Sequence, residues 1–239
     1  MQSGHLPKHV LIIPDGNRRW AEEHGKSRSD GYLEGVRRFR EISKTAFEMG
    51  ILYFTFWAAS ASNLKRRNPA EVQVLVSLLR HELEKKSTLE NCLKRKIRFR
   101  VIGNWFEASH GTCLLHAIQT LQDQTKIYGQ YFLTILFGYS GVEEGEEGTK
   151  QVCKHPPKHF DGKALKRAVW TRDLPEVDLM IRTGTERQNW THNSDGILNP
   201  WLAPNSRVFS PQVLWPDFTA DDFRRTIIVF SEIPRRLGA

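Results

Sequence analysis

One short segment combines a carboxylate, a glycine and two arginines directly after an apolar run. Asp15 follows residues 10–14, and the next four residues are Gly16, Asn17, Arg18 and Arg19. Glycine lets a backbone approach a ligand closely, and arginine can donate two hydrogen bonds at once to phosphate oxygens. A carboxylate at a strand end is a suitable Mg²⁺ ligand beside a diphosphate. Taken alone, the segment fits a magnesium-diphosphate site and an ordinary surface turn equally well.

Two later segments carry similar polar groups after apolar runs. Residues 60–66 combine hydroxyl, amide and cationic side chains after the run 51–57, and residues 182–184 offer arginine, hydroxyl and glycine after the run 177–181. Three such segments are difficult to explain by core formation alone. We therefore expect them to converge on one phosphate-bearing ligand.

The elements that must position these segments follow from the apolar residues, whose period changes repeatedly between two and about 3.6. Strands are predicted at 10–13, 51–57, 97–102, 131–137 and 177–181. Helices are predicted around 36–50, 69–79, 114–121 and 219–230. This alternation predicts an α/β fold, a mostly parallel central sheet flanked by helices, in a single domain spanning residues 1–239. Ligands of such sheets bind beyond the carboxyl ends of the strands, where all three polar segments lie.

The stretch from Gly138 to Asp161 interrupts this alternation. It places three glycines among four glutamates and then has two consecutive prolines. This composition predicts a flexible loop, and an internal acidic metal site is the alternative.

Bulk properties exclude several classes of protein. The formal charge of +8 suits nucleic acid, anionic lipid or a small polyanion, but no usual nucleic-acid-binding motif is present and the cations gather in the polar segments. No apolar run approaches the roughly 20 residues of a membrane-spanning helix, and the N-terminus has no signal-peptide core, which predicts a cytoplasmic protein and leaves peripheral membrane contact open. The widely spaced Cys92, Cys113 and Cys153 indicate thiols rather than a disulfide framework or a zinc site.

Five runs of the chain closely resemble the cis-prenyltransferase family, typified by undecaprenyl diphosphate synthase. In order, they are HVLIIPDGNRRWAEEHGKSRSDGY, ASASNLKRRNPAEV, VDLMIRTG, VLWPDF and RRLG. The resemblance extends from about His9 to Gly238. It implies an α/β sheet around an apolar tunnel, usually in a homodimer. It also implies an enzyme that joins an allylic prenyl diphosphate to isopentenyl diphosphate with a new cis double bond.

The resemblance also implies roles for the matched residues. Asp15 would hold Mg²⁺ on the allylic diphosphate, Asn63 would take part in proton removal, and Trp20 would lie near the isoprenoid. Arg182 would bind the second diphosphate, and Arg66 corresponds to the arginine that neighbours the family asparagine. The groups expected to bind the first diphosphate are Gly16, Asn17, Arg18, Arg19 and Arg28. Three hydroxyl residues complete the expected substrate-binding set: Tyr32, which replaces the family's histidine, Ser60, and Ser62, which replaces a glutamate.

The departures from the family pattern concentrate at the second-substrate site. About four extra residues precede the expected serine, Ser194, and the second arginine of the pattern is Arg187 or is replaced by His192. The metal-binding glutamate of the family falls near Asn205 or Ser206, neither of which is a good Mg²⁺ ligand. With one carboxylate left, we expect Mg²⁺ to bind only together with the diphosphate.

These departures keep a second function open, in which ionisation is retained but the cation is redirected. Irregular lavandulyl-type coupling, cyclisation and prenyl transfer to another acceptor all qualify. A third alternative is a non-catalytic partner subunit. Family members of that kind have a degraded first segment, whereas PDGNRRW is complete here.

Overall fold

The chain folds around one parallel sheet. The computed structural model describes residues 5–106, 112–185 and 198–233. Within these ranges the strands are β1 (His9–Ile13), β2 (Tyr53–Ser60), β3 (Ile97–Ile102), β4 (Tyr131–Tyr139), β5 (Leu179–Arg182) and β6 (Arg207–Phe209). All pair in parallel in the order β3-β4-β2-β1-β5-β6, which confirms the predicted fold class. The assignment of the whole chain to one domain stays a prediction.

Strand β1 lies at the topological switch point of the sheet, where the strand order reverses. The strands β2, β4 and β3 lie on one side of it, and β5 and β6 lie on the other. Open parallel sheets bind ligands outside the carboxyl ends of the strands at such a point. The register pairs Ile13, the last residue of β1, with Arg182, the last residue of β5. The first and third polar segments therefore meet at this crevice.

The helices begin at residues that satisfy their free N–H groups. Ser27 and Thr219 each form a capping box with the aspartate three residues later, and Asn68 caps a helix whose first residue is Pro69. The described helices are α1 (Asn17–Glu23), α2 (Arg28–Glu48), α3 (Ala61–Arg66), α4 (Pro69–Glu84), α5 (Lys86–Arg95), α6 (Thr112–Thr125), α7 (Gly141–Lys154), α8 (Gly162–Ala168) and α9 (Ala220–Glu232). A short 3₁₀ helix spans Trp215–Asp217.

The inner strands of the sheet are buried on both faces, as expected for parallel strands that are mostly apolar. Alternation along β1 sends Val10 and Ile12 into a large cluster with α2, α4, α6 and α9, and Leu11 into a smaller cluster on the other face. Trp57 and Tyr139 belong to the smaller cluster. The five predicted strands and four predicted helices are confirmed, whereas the three-residue strand β6 was not predicted.

The flexible loop predicted from Gly138 to Asp161 is wrong, because residues 141–154 form α7. The Ser140 hydroxyl caps this helix, and two of its glutamates lie in the first turn, where the helix dipole favours negative charge. Gly148 lies so close to Val169 that a β-carbon would approach its Cγ1 to 2.9 Å. Tertiary contact thus outweighs the low helix propensity of glycine.

The remaining composition-based predictions have mixed outcomes. The first two polar segments contain short helices, α1 and α3, rather than loops alone. Cys92 and Cys153 are free thiols, as expected, and the side chain of Cys113 lies outside the described part. In the described ranges no helix is both long and apolar enough to cross a membrane.

Candidate active site

The backbone around Asp15 is held by hydrogen bonds from two other segments. The Asp15 carbonyl accepts from the Trp215 amide at 3.0 Å and from the Thr183 hydroxyl at 2.9 Å. Gly16 then adopts φ +113°, a conformation that strongly favours glycine, with Leu214 against it. These contacts join the PDGNRRW, RTG and LWPDF motifs into one structure.

The Asp15 carboxylate lies between two arginines and remains accessible. Its oxygens lie 3.3 Å from Arg19 Nη2 and 3.4 Å from Arg182 Nη2, and 40% of the side chain is exposed. Arg19 also donates to the Gly184 carbonyl at 2.9 Å. An exposed carboxylate with long contacts retains acceptor capacity for another ligand. The arrangement therefore suits an anion and a metal that arrive together.

Gly184 permits this close approach. Its φ is +81°, and a β-carbon there would lie 2.6 Å from Arg19 Nη2 and 2.9 Å from the Asp15 carbonyl oxygen. Any other residue would separate the two arginine-bearing segments. The glycine of the RTG motif is thus required by geometry.

Asn17 faces the interior of the site rather than solvent. Its Nδ2 donates to the Pro14 carbonyl at 3.2 Å, while its buried Oδ1 has no hydrogen-bond partner among the described residues. A β-carbon at Gly35 would lie 2.3 Å from this Oδ1. Helix α2 therefore approaches Asn17 only because glycine is present there.

Trp20 serves as an anchor in the fold. It is 7% exposed, and its indole N–H donates to the Asp217 carboxylate at 2.7 Å. The same ring stacks on His24. Its predicted contact with an isoprenoid stays a prediction, but this hydrogen bond accounts for the aspartate of the LWPDF motif.

A second cationic cluster lies around Glu71, in the first turn of α4. The Tyr32 hydroxyl donates to Glu71, Arg28 lies 3.3 Å from it, and Arg67 lies 3.4 Å from it and donates to the Tyr32 hydroxyl at 2.9 Å. The sequence indicated Arg28 and Tyr32, but it missed Arg67 and Glu71. The only signal available was the capping position of Glu71, which does not predict this contact.

The protonation of this cluster follows from its charges. Burial, together with the hydrogen bond to Glu71, raises the pKa of Tyr32 to about 12. Burial alone would raise the pKa of Glu71, but the Tyr32 hydroxyl and the charges of Arg67, Arg18 and Arg28 outweigh it and hold that pKa below its ordinary value. Glu71 is therefore ionised at neutral pH and neutralises these arginines.

The middle segment begins α3. The Ser60 hydroxyl accepts from the Asn63 amide at 3.0 Å, and the Asn63 Oδ1 accepts from the Ser60 amide at 3.4 Å. This capping box fixes the orientation of Asn63 without a substrate. Ser62 is half-buried and Arg66 is exposed. Their predicted roles stay predictions.

An apolar cavity of about 90 Å³ begins beside the Asp15 segment. Its lining residues include Pro14, Asn17, Phe56, Leu75, Leu79 and Glu82. Tyr32, which contacts the first turn of α4, and Glu82, in the last turn of α4, both belong to the lining. Phe56 lines this space and also belongs to the large core cluster, as does Phe54, whereas Trp57 lies in the smaller cluster on the opposite face of the sheet. The predicted tunnel stays a prediction.

Glu82 brings a charged network to this apolar cavity. Its carboxylate accepts two hydrogen bonds from Arg40 and one from Lys85 at 3.1 Å. The side chain is 11% exposed. Buried charge is tolerated here because it is paired.

The second-substrate site is described only in part. Arg187, His192 and Ser194 lie outside the described residues. Asn205 is exposed, and the Ser206 hydroxyl donates to the Val177 carbonyl at 2.7 Å. In the described ranges no group of three or more histidine, cysteine or acidic side chains could hold a metal ion.

Comparison with known proteins places this geometry in context. An isoprenyl transferase from Thermus thermophilus is 31% identical, with 100% of this chain and 91% of the relative covered. A tritrans,polycis-undecaprenyl-diphosphate synthase (geranylgeranyl-diphosphate specific) from Pyrococcus horikoshii is also 31% identical, with coverages of 100% and 89%.

Solved structures share the fold. Lavandulyl diphosphate synthase from Lavandula x intermedia, in complex with dimethylallyl diphosphate, superimposes with a TM-score of 0.86 over 98% of this chain and 99% of that chain. At 24% identity this likeness shows the fold alone. The family model described as "Putative undecaprenyl diphosphate synthase" matches residues 13–238, which include all three polar segments. This chain therefore belongs to the undecaprenyl diphosphate synthase family of prenyltransferases.

Proposed function

We propose that this enzyme ionises an allylic prenyl diphosphate and condenses it with isopentenyl diphosphate to form a cis-prenyl diphosphate. The observation that carries the proposal is the half-exposed Asp15 carboxylate, flanked by Arg19 and Arg182, beside an apolar cavity. Pro14 and Asn17, on either side of the Asp15–Gly16 pair, both line that cavity. Charge recognition and an apolar space for the hydrocarbon are thus adjacent.

The chain's own groups suit each part of this reaction. When the allylic C–O bond breaks, its electron pair leaves with the diphosphate, and Arg19 lies where it can stabilise that charge. The isopentenyl double bond then supplies the electrons of the new C–C bond, and the proton lost from the isopentenyl unit passes to the released diphosphate. The apolar cavity excludes water from the allylic cation. Asn63, held by its capping box, is the proposed participant in proton removal.

The residues around Asp15 fit Mg²⁺ only in combination with a diphosphate. Asp15 would hold the ion, because Mg²⁺ is usually bound by one or two carboxylates together with phosphate oxygens and water. When bound, the ion would neutralise diphosphate charge and assist its departure. Calorimetric titration should show Mg²⁺ binding in the presence of a diphosphate and not without it. Tight binding to the free protein would contradict this.

The cavity supports a short hydrocarbon. Its volume of about 90 Å³ is below the ~150 Å³ of a cavity that binds benzene. Glu82 also adds paired charges to a lining that is mostly apolar. We therefore propose that the enzyme adds few isoprene units.

Product analysis tests this function directly. Dimethylallyl, geranyl and farnesyl diphosphates are incubated separately with and without isopentenyl diphosphate, and the products are identified by mass spectrometry. We expect elongated cis products only when isopentenyl diphosphate is present. If no allylic diphosphate is consumed under any condition, the proposed function is wrong.

The second-substrate residue Arg182 offers a finer test. Arg182→Ala should raise the KM for isopentenyl diphosphate more than the KM for the allylic substrate. Arg224→Ala is the control, because Arg224 pairs with Asp221 on the surface of α9. Equal effects on both KM values would show that the two diphosphates are not divided between sites as proposed.

A second candidate function redirects the cation to another acceptor. Neither Asn205 nor Ser206 offers a carboxylate where the family pattern has its metal-binding glutamate, and Ser206 is engaged by Val177. Consumption of an allylic diphosphate without isopentenyl incorporation would favour irregular coupling, cyclisation or transfer to a different acceptor. It would also separate this candidate from a non-catalytic subunit.

The remaining parts of the proposal concern assembly and location. The resemblance to the family implies a homodimer, and the RRLG run, which fits active homodimers as well as partner subunits, lies outside the described residues. Light scattering of the purified protein tests the homodimer, and a mass of one chain would contradict it. Cytoplasmic location and peripheral membrane contact stay predictions.

A further inference from the structure

The carboxylate of Glu71, in α4, occupies an anion site built from groups on three other segments. It accepts from the Tyr32 hydroxyl of α2 and pairs with Arg28, also of α2, and with Arg67, which follows α3. Arg18 of α1 is close enough to lower its pKa. Only 9% of the Glu71 side chain is exposed. This degree of convergence exceeds what a helix-capping carboxylate requires.

We propose that Glu71 is a displaceable counterion and positioning residue of the diphosphate site. In the substrate-free protein it takes the place of phosphate oxygens, and an incoming diphosphate displaces it from the arginines. The inference rests on the proposed function, because the resemblance to the family makes Arg18 and Arg28 binding groups of the first diphosphate and Tyr32 a substrate-binding residue. Glu71 itself and Arg67 are assigned here from contacts alone.

Three physical points support displacement. Carboxylate and phosphate accept the same charge-assisted hydrogen bonds from arginine, so each can replace the other on these groups. The guanidinium groups of Arg18, Arg28 and Arg67 would repel one another without an anion between them, so the resident Glu71 carboxylate, whose side chain is only 9% exposed, keeps them assembled. A ligand that displaces Glu71 must bring more negative charge than a single carboxylate.

The last point has a consequence for specificity. A diphosphate carries enough charge to compete with Glu71, whereas orthophosphate, with less charge and fewer oxygens, competes poorly. Glu71 would thereby favour diphosphates over monophosphates. Neutralising it should raise the affinity for both anions and reduce the discrimination between them.

The test measures binding of inorganic pyrophosphate and orthophosphate by calorimetry at fixed ionic strength. The variant is Glu71→Gln, which removes the charge and keeps the shape. Glu84→Gln is the matched control, because it removes one charge from the exposed end of the same helix, where Glu84 pairs with Arg80. Glu71→Asp keeps the negative charge at this residue on a side chain shorter by one methylene group.

We expect Glu71→Gln to bind pyrophosphate about tenfold more tightly than the wild type, as removal of one nearby like charge predicts. Glu84→Gln and Glu71→Asp should stay within about twofold of the wild type. Unchanged or weaker binding by Glu71→Gln would overturn the inference, because a purely structural ion pair gives that result. If pyrophosphate binds to neither the wild type nor the variants, the proposed diphosphate site itself is wrong.

A measurement on the wild type does not depend on how the variant folds. In protein labelled with ¹³C-tyrosine, the Tyr32 signal, assigned with Tyr32→Phe, should shift when pyrophosphate saturates the site, because the hydroxyl exchanges its Glu71 acceptor. An unchanged Tyr32 signal at saturation would overturn the displacement.

Discussion

Two carboxylates near the same edge of the sheet have opposite environments. Asp15 follows β1, is 40% exposed, and contacts two arginines at 3.3 and 3.4 Å. Glu144 lies in the first turn of α7, just after β4, and is fully buried. It accepts from the Tyr139 hydroxyl at 2.5 Å and from the Thr171 amide at 2.6 Å.

The comparison shows that Asp15 is available to bind a ligand, whereas all the contacts of Glu144 stabilise the fold. Glu144 is buried against two short donors and has no access to solvent, so it can only join α7 to the segment after α8. Asp15 retains acceptor capacity, and its neighbours are cations that a diphosphate can use. The composition of residues 138–161 had raised an acidic metal site as an alternative. Burial of Glu144 instead gives that acidic residue a structural role.

The largest effect expected from this comparison is on turnover. Asp15→Ala should lower kcat by about 1,000-fold, because it removes the carboxylate proposed to hold Mg²⁺ on the leaving group. The melting temperature should change little, since the fold uses the Asp15 backbone carbonyl rather than its side chain. Steady-state kinetics and thermal unfolding check both parts. Asp123→Ala, which disrupts an exposed pair with Lys126, is the control, and wild-type rates from Asp15→Ala would end the assignment.

Glu144→Ala should have the opposite effect to Asp15→Ala: it should lower the stability of the fold and leave substrate binding nearly unchanged. Two buried donors lose their acceptor, at about 1–3 kcal/mol each, so the free energy of unfolding should fall by about 4 kcal/mol. Denaturant unfolding measures the loss. At a temperature where the variant remains folded, its KM for the allylic substrate should be near the wild-type value. A stable variant with impaired catalysis would mean that Glu144 belongs to the active site.

His9, at the start of β1, extends the comparison to a buried base. Its Nδ1 lies 2.9 Å from the Pro175 carbonyl oxygen and its Nε2 lies 2.8 Å from the Thr55 hydroxyl. Burial lowers its pKa to about 4, against smaller opposing effects of the Pro175 carbonyl and Asp178. Since an unfolded chain protonates His9 near pH 6.5, its contribution to stability is complete above that pH and is lost as pH falls toward 4.

We therefore expect the free energy of unfolding to fall by about 3 kcal/mol through His9 between pH 6.5 and 4. Unfolding measured across this range tests the expectation. His9→Gln should be less stable at neutral pH but should lose this part of the pH dependence. If the free energy of unfolding of His9→Gln falls with pH as steeply as that of the wild type, other groups cause the pH dependence.

The smallest effect concerns the glycine that brings the two arginine segments together. Gly184→Ala should cost about 2 kcal/mol of stability, because it requires φ near +81° and places a β-carbon against Arg19. It should also raise the KM for the allylic diphosphate. Gly129→Ala is the control, since no atom lies within 4 Å of a β-carbon there. If the two variants had the same stability and the same KM, the geometry around residue 184 would not require glycine.

Much of the fold was predictable because it depends on local patterns. Short apolar runs, and alternation at residues 97–102, predicted five strands, and Asn68, Pro69 and Thr219 indicated where two helices begin. The carboxyl ends of parallel strands lie at the same edge of a sheet, which also predicted that the segments of Asp15 and Arg182 would meet. Helix α7 was not predicted, because its glycines have a low helix propensity. The contacts that stabilise it, with Tyr139 and with residues 169–171, form only in the folded structure and leave no pattern in the sequence.

For the site, the sequence predicted which residue types are present but not how they are arranged. The sequence by itself determined which segments carry phosphate-binding groups and that they follow strands, because periodicity and capping act over a few residues. The tertiary structure alone decided that Glu71 meets Tyr32, 39 positions earlier in the chain, and that the apolar cavity is about 90 Å³. Such contacts and volumes depend on how closely whole elements approach one another, and that distance is set by side chains from many parts of the chain at once.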